Sequence, residues 1–258
     1  MKLYKWINTN NLISYALSRN INAIQYLQNN PRFINWYGLC ENRNPAVLPI
    51  LYKNKEHIKW NKLSSNPLAM DLIITNMDKI DWKELSSNTH FMAMELLMKN
   101  MDKIDWNKLS LNSNDWAIDL LMNNVDKIQW DNLCINENPR VLQILFNNID
   151  KINWYLFSTN KNATDFLLNN PHMIYLNSFA LNEGYDAILY LTKNKHLINW
   201  NNLSFNKNAI HILKHNPSNI NYSNLSFNYI PDTIALLKSN QSSINWLGLS
   251  QSPYIFHN

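Results

Sequence analysis

Glycine is scarce in this sequence, with three residues in a chain of 258. The chain has no glycine-rich loop that could cradle a phosphate, no nucleophile elbow and no cysteine cluster. It also lacks any stretch of about 20 apolar residues and any signal-peptide pattern, so we expect a soluble, intracellular protein without a membrane segment. These absences favour a protein that is not an enzyme and that uses no cofactor.

A repeat dominates what is present. The string Ile-x-Trp-x-x-Leu-Ser-x-Asn recurs at spacings of 22 or 24 residues, with Ile two residues before the Trp position and Asn six residues before it in every copy. Ten copies carry a clear Trp position, filled by Trp36, Trp60, Trp82, Trp106, Trp130, Trp154, Leu176, Trp200, Tyr222 and Trp246, and a degenerate copy precedes them at Ser14. Such a period is typical of arrays in which each unit buries its apolar face against its neighbours.

The segment after each Asn-Pro pair predicts the first helix of a repeat. In residues 66–76, apolar residues recur at helical spacing, Asn66 is placed to cap the helix and Pro67 stands in its first turn. The closing Asn76 occupies a position where many helices end on a left-handed residue. Because glycine is so rare here, we expect Asn to adopt that left-handed conformation in its place.

A shorter second helix is predicted from the Trp position onward. Asp105 is placed to cap it, and Ile104 and Leu109 flank that cap as a hydrophobic staple. Ile, Trp and Leu of the repeat are therefore assigned structural roles.

Small or β-branched residues stand thirteen positions before every Trp position, where large side chains would separate successive layers. They are Ala23, Val47, Ala69, Ala93, Ala117, Val141, Ala163, Ala187, Ala209 and Thr233. Together these patterns predict an all-α fold, an α-solenoid of about ten stacked two-helix repeats. We expect a single domain over 1–258, with an N-terminal cap and degenerate repeat in 1–20, repeats in 21–252 and a C-terminal stub in 253–258.

The ends of the predicted array carry apolar residues that an open solenoid would leave uncovered. They include Leu3, Tyr4 and Trp6 at one end and Ile255 and Phe256 at the other. Solenoids need polar caps. Either the C-terminal stub folds back as a lid, or it docks on another chain and mediates self-association.

Cysteine is rare as well, and both residues, Cys40 and Cys134, stand four positions after a Trp position, where most repeats have Ser. They are four repeats apart. At roughly 8–10 Å per packed layer, this separation far exceeds the ~7 Å between Cα atoms that a disulfide tolerates. We expect two free, buried thiols.

Units such as Ile198-Asn199-Trp200-Asn201-Asn202-Leu203-Ser204-Phe205-Asn206 resemble the short Asn- and Trp-containing repeats of giant double-stranded DNA viruses, of the mimivirus-like and chlorella-virus-like groups. The resemblance covers about residues 12 to 252. It implies a helical-repeat architecture and a viral protein of the virion or the host cytoplasm, such as a structural or assembly component. It supplies no catalytic residues.

Candidate chemistry is limited to one histidine pair. His211 and His215 stand four residues apart on a predicted helix, a spacing that can bind zinc. A third ligand and the glutamate of a metalloprotease motif are absent. Two solvated histidines are the simpler interpretation, and we predict no metal site.

Nucleic-acid binding is the alternative function. The net charge is +4, and a lysine stands three positions before the Trp position in four successive repeats, as Lys79, Lys103, Lys127 and Lys151. Each follows an aspartate, Asp78, Asp102, Asp126 and Asp150, which largely cancels the field that a phosphate backbone would feel. A nucleic-acid groove is therefore less favoured than a protein-binding surface.

Three neighbouring first helices place apolar residues on a face that is polar in other repeats. This strip pairs Leu68 with Asp71, Met92 with Glu95, and Trp116 with Asp119. One interpretation is that a flanking loop covers the apolar members. The other is a partner-binding strip anchored by Trp116, whose acidic flank favours a basic or amphipathic protein segment. On this reading the chain is a non-catalytic scaffold or adaptor.

Overall fold

Helices fill most of the chain in the computed structural model, which describes residues 2–257. The second helix of each repeat begins at or beside the Trp position. These odd-numbered helices are α1 (Ser14–Arg19), α3 (Trp36–Cys40), α5 (Trp60–Leu63), α7 (Trp82–Leu85), α9 (Trp106–Leu111), α11 (Trp130–Cys134), α13 (Trp154–Phe157), α15 (Leu176–Phe179), α17 (Trp200–Leu203), α19 (Tyr222–Leu225) and α21 (Trp246–Gln251). Numbered by these helices, the chain has eleven repeats, because Ser14 begins a helix as the other positions do.

The first helices of repeats 2 to 11 are the even-numbered ones. They are α2 (Ile24–Asn29), α4 (Leu48–Lys53), α6 (Met70–Ile74), α8 (Phe91–Met98), α10 (Asp115–Met122), α12 (Val141–Phe146), α14 (Thr164–Asn169), α16 (Tyr185–Lys193), α18 (Ile210–Lys214) and α20 (Pro231–Lys238). A single 3₁₀ turn, such as Met101–Lys103, joins the first helix to the second in each of them. The predicted all-α class and the two-helix repeat are confirmed.

Side-chain caps begin the helices where the sequence places them. The carboxylate of Asp105 accepts a hydrogen bond from the backbone N–H of Lys108, and Asn66 accepts one from the N–H of Leu68. After Asn66 the chain first makes a 3₁₀ turn, Pro67–Ala69, and only then the α-helix. The capping predictions are therefore confirmed at both helices.

The prediction of a left-handed asparagine at the end of each first helix is wrong. No residue with positive φ occurs within residues 2–257, and Asn100 has φ −137° and ψ 57°. Its side-chain amide instead donates to the carbonyl of Leu96, four residues earlier, at 2.8 Å. The same bond recurs in all ten first helices, as with Asn30 and Tyr26. The amide replaces the backbone N–H that would continue the helix, and this explains why the residue is always Asn.

The core runs continuously through the repeats. Leu three residues after the Trp position and the small residue thirteen before it are fully buried, as at Leu109 and Ala117. The ring of Trp106 packs against this core while remaining half-buried. The aromatic rings therefore cover the edge of the core, and part of each ring faces solvent.

Buried asparagines connect neighbouring repeats. Six residues after the Trp position, Asn112 donates from its amide to the carbonyls of Ser86 and Asn88 in the preceding repeat, both at 3.0 Å. Its own carbonyl oxygen accepts from the N–H of Asn114. Ten repeats have Asn at this position, at Asn20, Asn42, Asn66, Asn88, Asn112, Asn136, Asn160, Asn182, Asn206 and Asn228. These bonds satisfy carbonyls at helix ends that the core would otherwise leave unpaired.

The last repeat closes on the first through the same bonds. Asn20 donates to the carbonyls of Ser250 and Ser252, at 3.2 and 2.6 Å, as Asn112 does to its preceding repeat. The N–H of Ile13 donates to Ser250 Oγ at 2.9 Å, and α1 packs against α21. Repeat 11 therefore stands before repeat 1 as each repeat stands before the next. The array is a closed ring of eleven repeats and has no open end.

The two chain ends share the place of the missing first helix of repeat 1. Strands β1 (Lys2–Leu3) and β2 (Phe256–His257) pair antiparallel, with Lys2 opposite His257 and Leu3 opposite Phe256. Ile255 and Phe256 are buried there, and Phe256 lies 5.7 Å from the ring of Tyr26. The stub thus docks on the N-terminal segment of the same chain. Met1 and Asn258, the outermost residues of the predicted cap and stub, lie outside the described residues.

Candidate functional site

The predicted strip lies on the outward face of α6, α8 and α10. Trp116 is 41% exposed and Leu68 37%, while Met92 is half-buried against the core. The interpretation in which a flanking loop covers the apolar residues does not fit the exposure of Leu68 and Trp116. The strip is therefore open surface on three neighbouring repeats.

Trp116 borders a shallow hollow between α8 and α10. Met98, Asp119, Leu120 and Asn123 complete its lining. Its volume of about 330 Å³ is enough for one large side chain of a partner. Because only two neighbouring repeats form its walls, the hollow is open to the outside of the ring.

The acidic flank of the strip is uneven. Asp119 accepts a hydrogen bond from Arg140 Nη2 at 2.6 Å, and Asp115 lies 3.7 Å from the same guanidinium. The carboxylates of Asp71 and Glu95 are exposed and form no ion pair within residues 2–257. The negative charge available to a partner is therefore concentrated at the Asp71 and Glu95 end.

A second surface was not identified in the sequence. Residues five and seven positions after the Trp position line hollows that four successive repeats border together. One hollow joins repeats 11, 1, 2 and 3, and the other joins repeats 6 to 9. In a closed ring, only the side facing the centre brings four repeats around one hollow. We call these two rows the inner face.

The inner face is apolar on one side and polar on the other. At the fifth position, repeats 5, 6, 8, 9 and 10 carry an apolar arc: Leu111, Ile135, Leu181, Phe205 and Phe227. Leu111 is 45% exposed and Phe205 36%, and the rings of Phe205 and Phe227 are 6.0 Å apart. Repeats 11 and 1 to 4 carry a polar arc at the same position: Gln251, Arg19, Glu41, Ser65 and Ser87.

Glu41 is the centre of the polar arc. It accepts hydrogen bonds from Tyr15 Oη at 2.7 Å and contacts Lys62 Nζ at 2.9 Å and Arg19 Nε at 3.0 Å. Burial opposes its ionisation, but the hydrogen bonds from Tyr15 and Lys62 and the charge of Arg19 outweigh burial and lower the pKa of Glu41. Arg43, seven residues after the Trp position, is exposed beside this cluster.

The lysine row of the nucleic-acid alternative is engaged within the ring. Lys79 and Lys103 lie over the tryptophans of the preceding repeats, with Nζ 5.1 Å from the Trp60 ring centre and 4.4 Å from that of Trp82. Lys127 and Lys151 pair with their own neighbours Asp126 and Asp150, at 3.5 and 2.9 Å. These contacts reduce the positive charge that the row presents to a phosphate backbone.

The remaining candidate groups are structural. His215 Nδ1 contacts the backbone carbonyl of His211 at 2.7 Å, and residues 2–257 bring no three His, Cys, Asp or Glu residues together as a metal site. Cys40 and Cys134 are free and buried, as predicted, and burial raises the pKa of each thiol to about 11. Cys40 Sγ accepts the backbone N–H of Lys59, as Ser64 Oγ accepts that of Asp81.

Comparisons of the chain with protein-family models, with curated proteins and with solved structures gave no match. In the described part of the chain, every helix is too short to cross a membrane, since none reaches the length and apolar character that a span requires. Any functional assignment therefore depends on the surfaces of the ring itself.

Proposed function

We propose that the protein is a non-catalytic scaffold or adaptor that binds another protein through the outer strip of Leu68, Met92 and Trp116. The single observation that supports this most is the exposure of Trp116 beside a hollow of about 330 Å³. The other repeated tryptophans pack against the core edge, whereas Trp116 leaves a large aromatic surface in solvent. Aromatic side chains beside a pocket are the usual centres of protein-binding energy.

The exposed carboxylates of Asp71 and Glu95 define the chemistry of the partner. They favour a basic or amphipathic segment and would repel nucleic acid. A viral structural or assembly role follows only from the resemblance of the repeats, and we propose it on that ground. Nucleic-acid binding remains the second candidate, supported by the net charge of +4.

Replacement of Trp116 by Ala tests the strip. We expect a nearly unchanged melting temperature, because the side chain is largely outside the core, and a loss of about 2 kcal/mol in binding free energy, the usual scale for a buried aromatic anchor. Affinity capture from lysate, followed by titration with the captured partner, measures this loss. Asn61→Ala, at an exposed position of repeat 3, is the matched control.

Nuclease treatment separates the two candidate functions. A protein partner that the strip holds directly stays bound after the lysate is digested, whereas a nucleic-acid tether releases it. Trp116→Ala that unfolds the ring without a selective loss of binding would show that this side chain serves packing. The strip would then be abandoned as a binding site.

A further inference from the structure

The inner face has an excess of positive charge on its polar side. Arg19, Arg43 and Lys62 are opposed there by Glu41 alone. In the neighbouring repeats Glu84 and Lys108 pair at 3.0 Å and compensate each other. A ligand at this side of the ring therefore meets a field that favours carboxylates.

Charges on the opposite side cancel within the ring. Glu137 pairs with Lys161 at 3.7 Å and Glu183 with Lys207 at 3.5 Å, each pair linking neighbouring repeats at the seventh position. What remains exposed beside these pairs is the apolar arc. The inner face therefore presents a basic side and an apolar side, separated by the width of the ring opening.

The opening has the dimensions of a helix. With neighbouring side chains of the apolar arc 6.0 Å apart, a circle of eleven such positions is roughly 20 Å across between side-chain centres, which leaves room for one α-helix of about 10–12 Å. The hydrogen bonds between repeats join neighbouring repeats, so the centre is not bridged by them.

We propose that the inner face binds one amphipathic α-helical segment of a partner protein, with apolar residues on one side of the helix and carboxylates on the other. The apolar side packs on Ile135, Leu181 and Phe205, and the carboxylates face Arg19, Arg43 and Lys62. This proposal extends the proposed protein-binding function to a second surface with a partner of opposite charge preference. The two surfaces are separated in sequence and in the ring, so each is tested by its own variants.

Two synthetic helices of 18 residues test the charge preference. Both carry leucine on one side, and the other side carries glutamate in the first and lysine in the second. We expect fluorescence anisotropy with the intact ring to show at least tenfold tighter binding of the glutamate helix at low salt, with the difference shrinking as salt is raised. Equal affinities, or no binding of either helix, would overturn the proposal.

Variants of the inner face locate the bound helix. Ile135→Ser combined with Phe205→Ser, both partly exposed positions, is expected to weaken binding of the glutamate helix at least tenfold without changing the circular dichroism spectrum. Arg43→Glu is expected to remove the preference for glutamate over lysine. Trp116→Ala should leave both affinities unchanged.

The remaining outcomes contradict the proposal. Loss of helix binding in Trp116→Ala with retention in the inner-face variants would place the binding on the outer strip. Tighter binding of a single-stranded oligonucleotide than of the glutamate helix would assign the basic side to nucleic acid. Conversely, failure of the strip experiment with success here would leave the inner face standing alone.

Discussion

Asparagine has three separate tasks in each repeat, and each uses its side-chain amide differently. At the N-terminus of the second helix its oxygen accepts a backbone N–H, as Asn199 does from Asn202. At the end of the first helix its nitrogen donates back to a carbonyl, as in Asn100. Six residues after the Trp position both atoms are used at once, as in Asn112. Only an amide provides a donor and an acceptor on so short a side chain.

Replacement of Asn112 by Ala is expected to lower the free energy of unfolding by about 2–4 kcal/mol, because two buried carbonyls and one buried N–H lose their partner. Urea denaturation followed by circular dichroism measures the change. Asn61→Ala, which removes an exposed amide, should change stability by less than about 0.5 kcal/mol. Equal effects of the two substitutions would mean that the buried amide contributes nothing particular.

Replacement of Asn100 by Gly distinguishes the observed cap from a left-handed one. With φ at −137° and the amide bonded to Leu96, Gly removes the bond and adds chain entropy to the unfolded state. We expect a loss of about 1–2 kcal/mol. A left-handed cap would tolerate Gly with little or no loss, so a neutral result in thermal unfolding would contradict the observed conformation.

Sequence patterns predicted the repeat, its two helices, the helix-starting caps, the small buried residues and the buried thiols. They failed at the left-handed cap because an invariant Asn fits two mechanisms, a backbone conformation and a side-chain bond, that leave the same sequence pattern. The inner face was missed for a different reason. Residues such as Leu111 and Phe205 stand in positions that vary between repeats, and only the curvature of the array brings them together.

The second helices set the curvature, and small residues mark where they approach most closely. Two residues after the Trp position, repeats 11, 1 and 2 carry Gly248, Ala16 and Gly38, all buried. A Cβ on Gly38 would lie 2.3 Å from the carbonyl oxygen of Tyr15, and one on Gly248 would lie 2.8 Å from that of Ser226. The helices beside the closing contact therefore pack backbone to backbone.

Replacement of Gly38 by Ala is expected to destabilise the ring by about 1–3 kcal/mol, because the new methyl group meets backbone atoms that cannot rotate away. The free energy of unfolding measures this in urea. Asn132→Ala, at the same position in repeat 6, should cost less, since its side chain lies at the surface. A stabilising effect of Gly38→Ala, through better helix propensity, would show that α1 and α3 have room to separate.

Closure gives the whole molecule a property that an open array lacks. In an open solenoid the terminal repeats fray first, since each has one neighbour. Here Asn20 and Ser250 provide repeats 1 and 11 with the same contacts as inner repeats, and the strands of the two ends cover the seam. The sequence showed apolar ends in need of a cover but could not show that each end covers the other, because pairing of distant segments leaves no local pattern.

A disulfide across the paired ends tests closure directly. Lys2 and His257 are partners in the antiparallel pair, where Cα atoms of opposed residues are about 4.5–5.5 Å apart, within the range that a disulfide spans. Lys2→Cys together with His257→Cys is therefore expected to form an intramolecular disulfide under mild oxidation. The linked monomer should migrate differently from the reduced one on a non-reducing gel. It should also unfold at higher urea, with a gain of about 2–4 kcal/mol.

The control carries Asp71→Cys with His257→Cys, since Asp71 lies on the outer face of α6 and should form no intramolecular link. Cys40 and Cys134 stay reduced in both variants because they are buried and their pKa values of about 11 keep them as thiols at neutral pH. Disulfide-linked dimers in place of linked monomers would mean that the stub docks on another chain in solution. The ring would then be open, and the inner face would no longer enclose a helix.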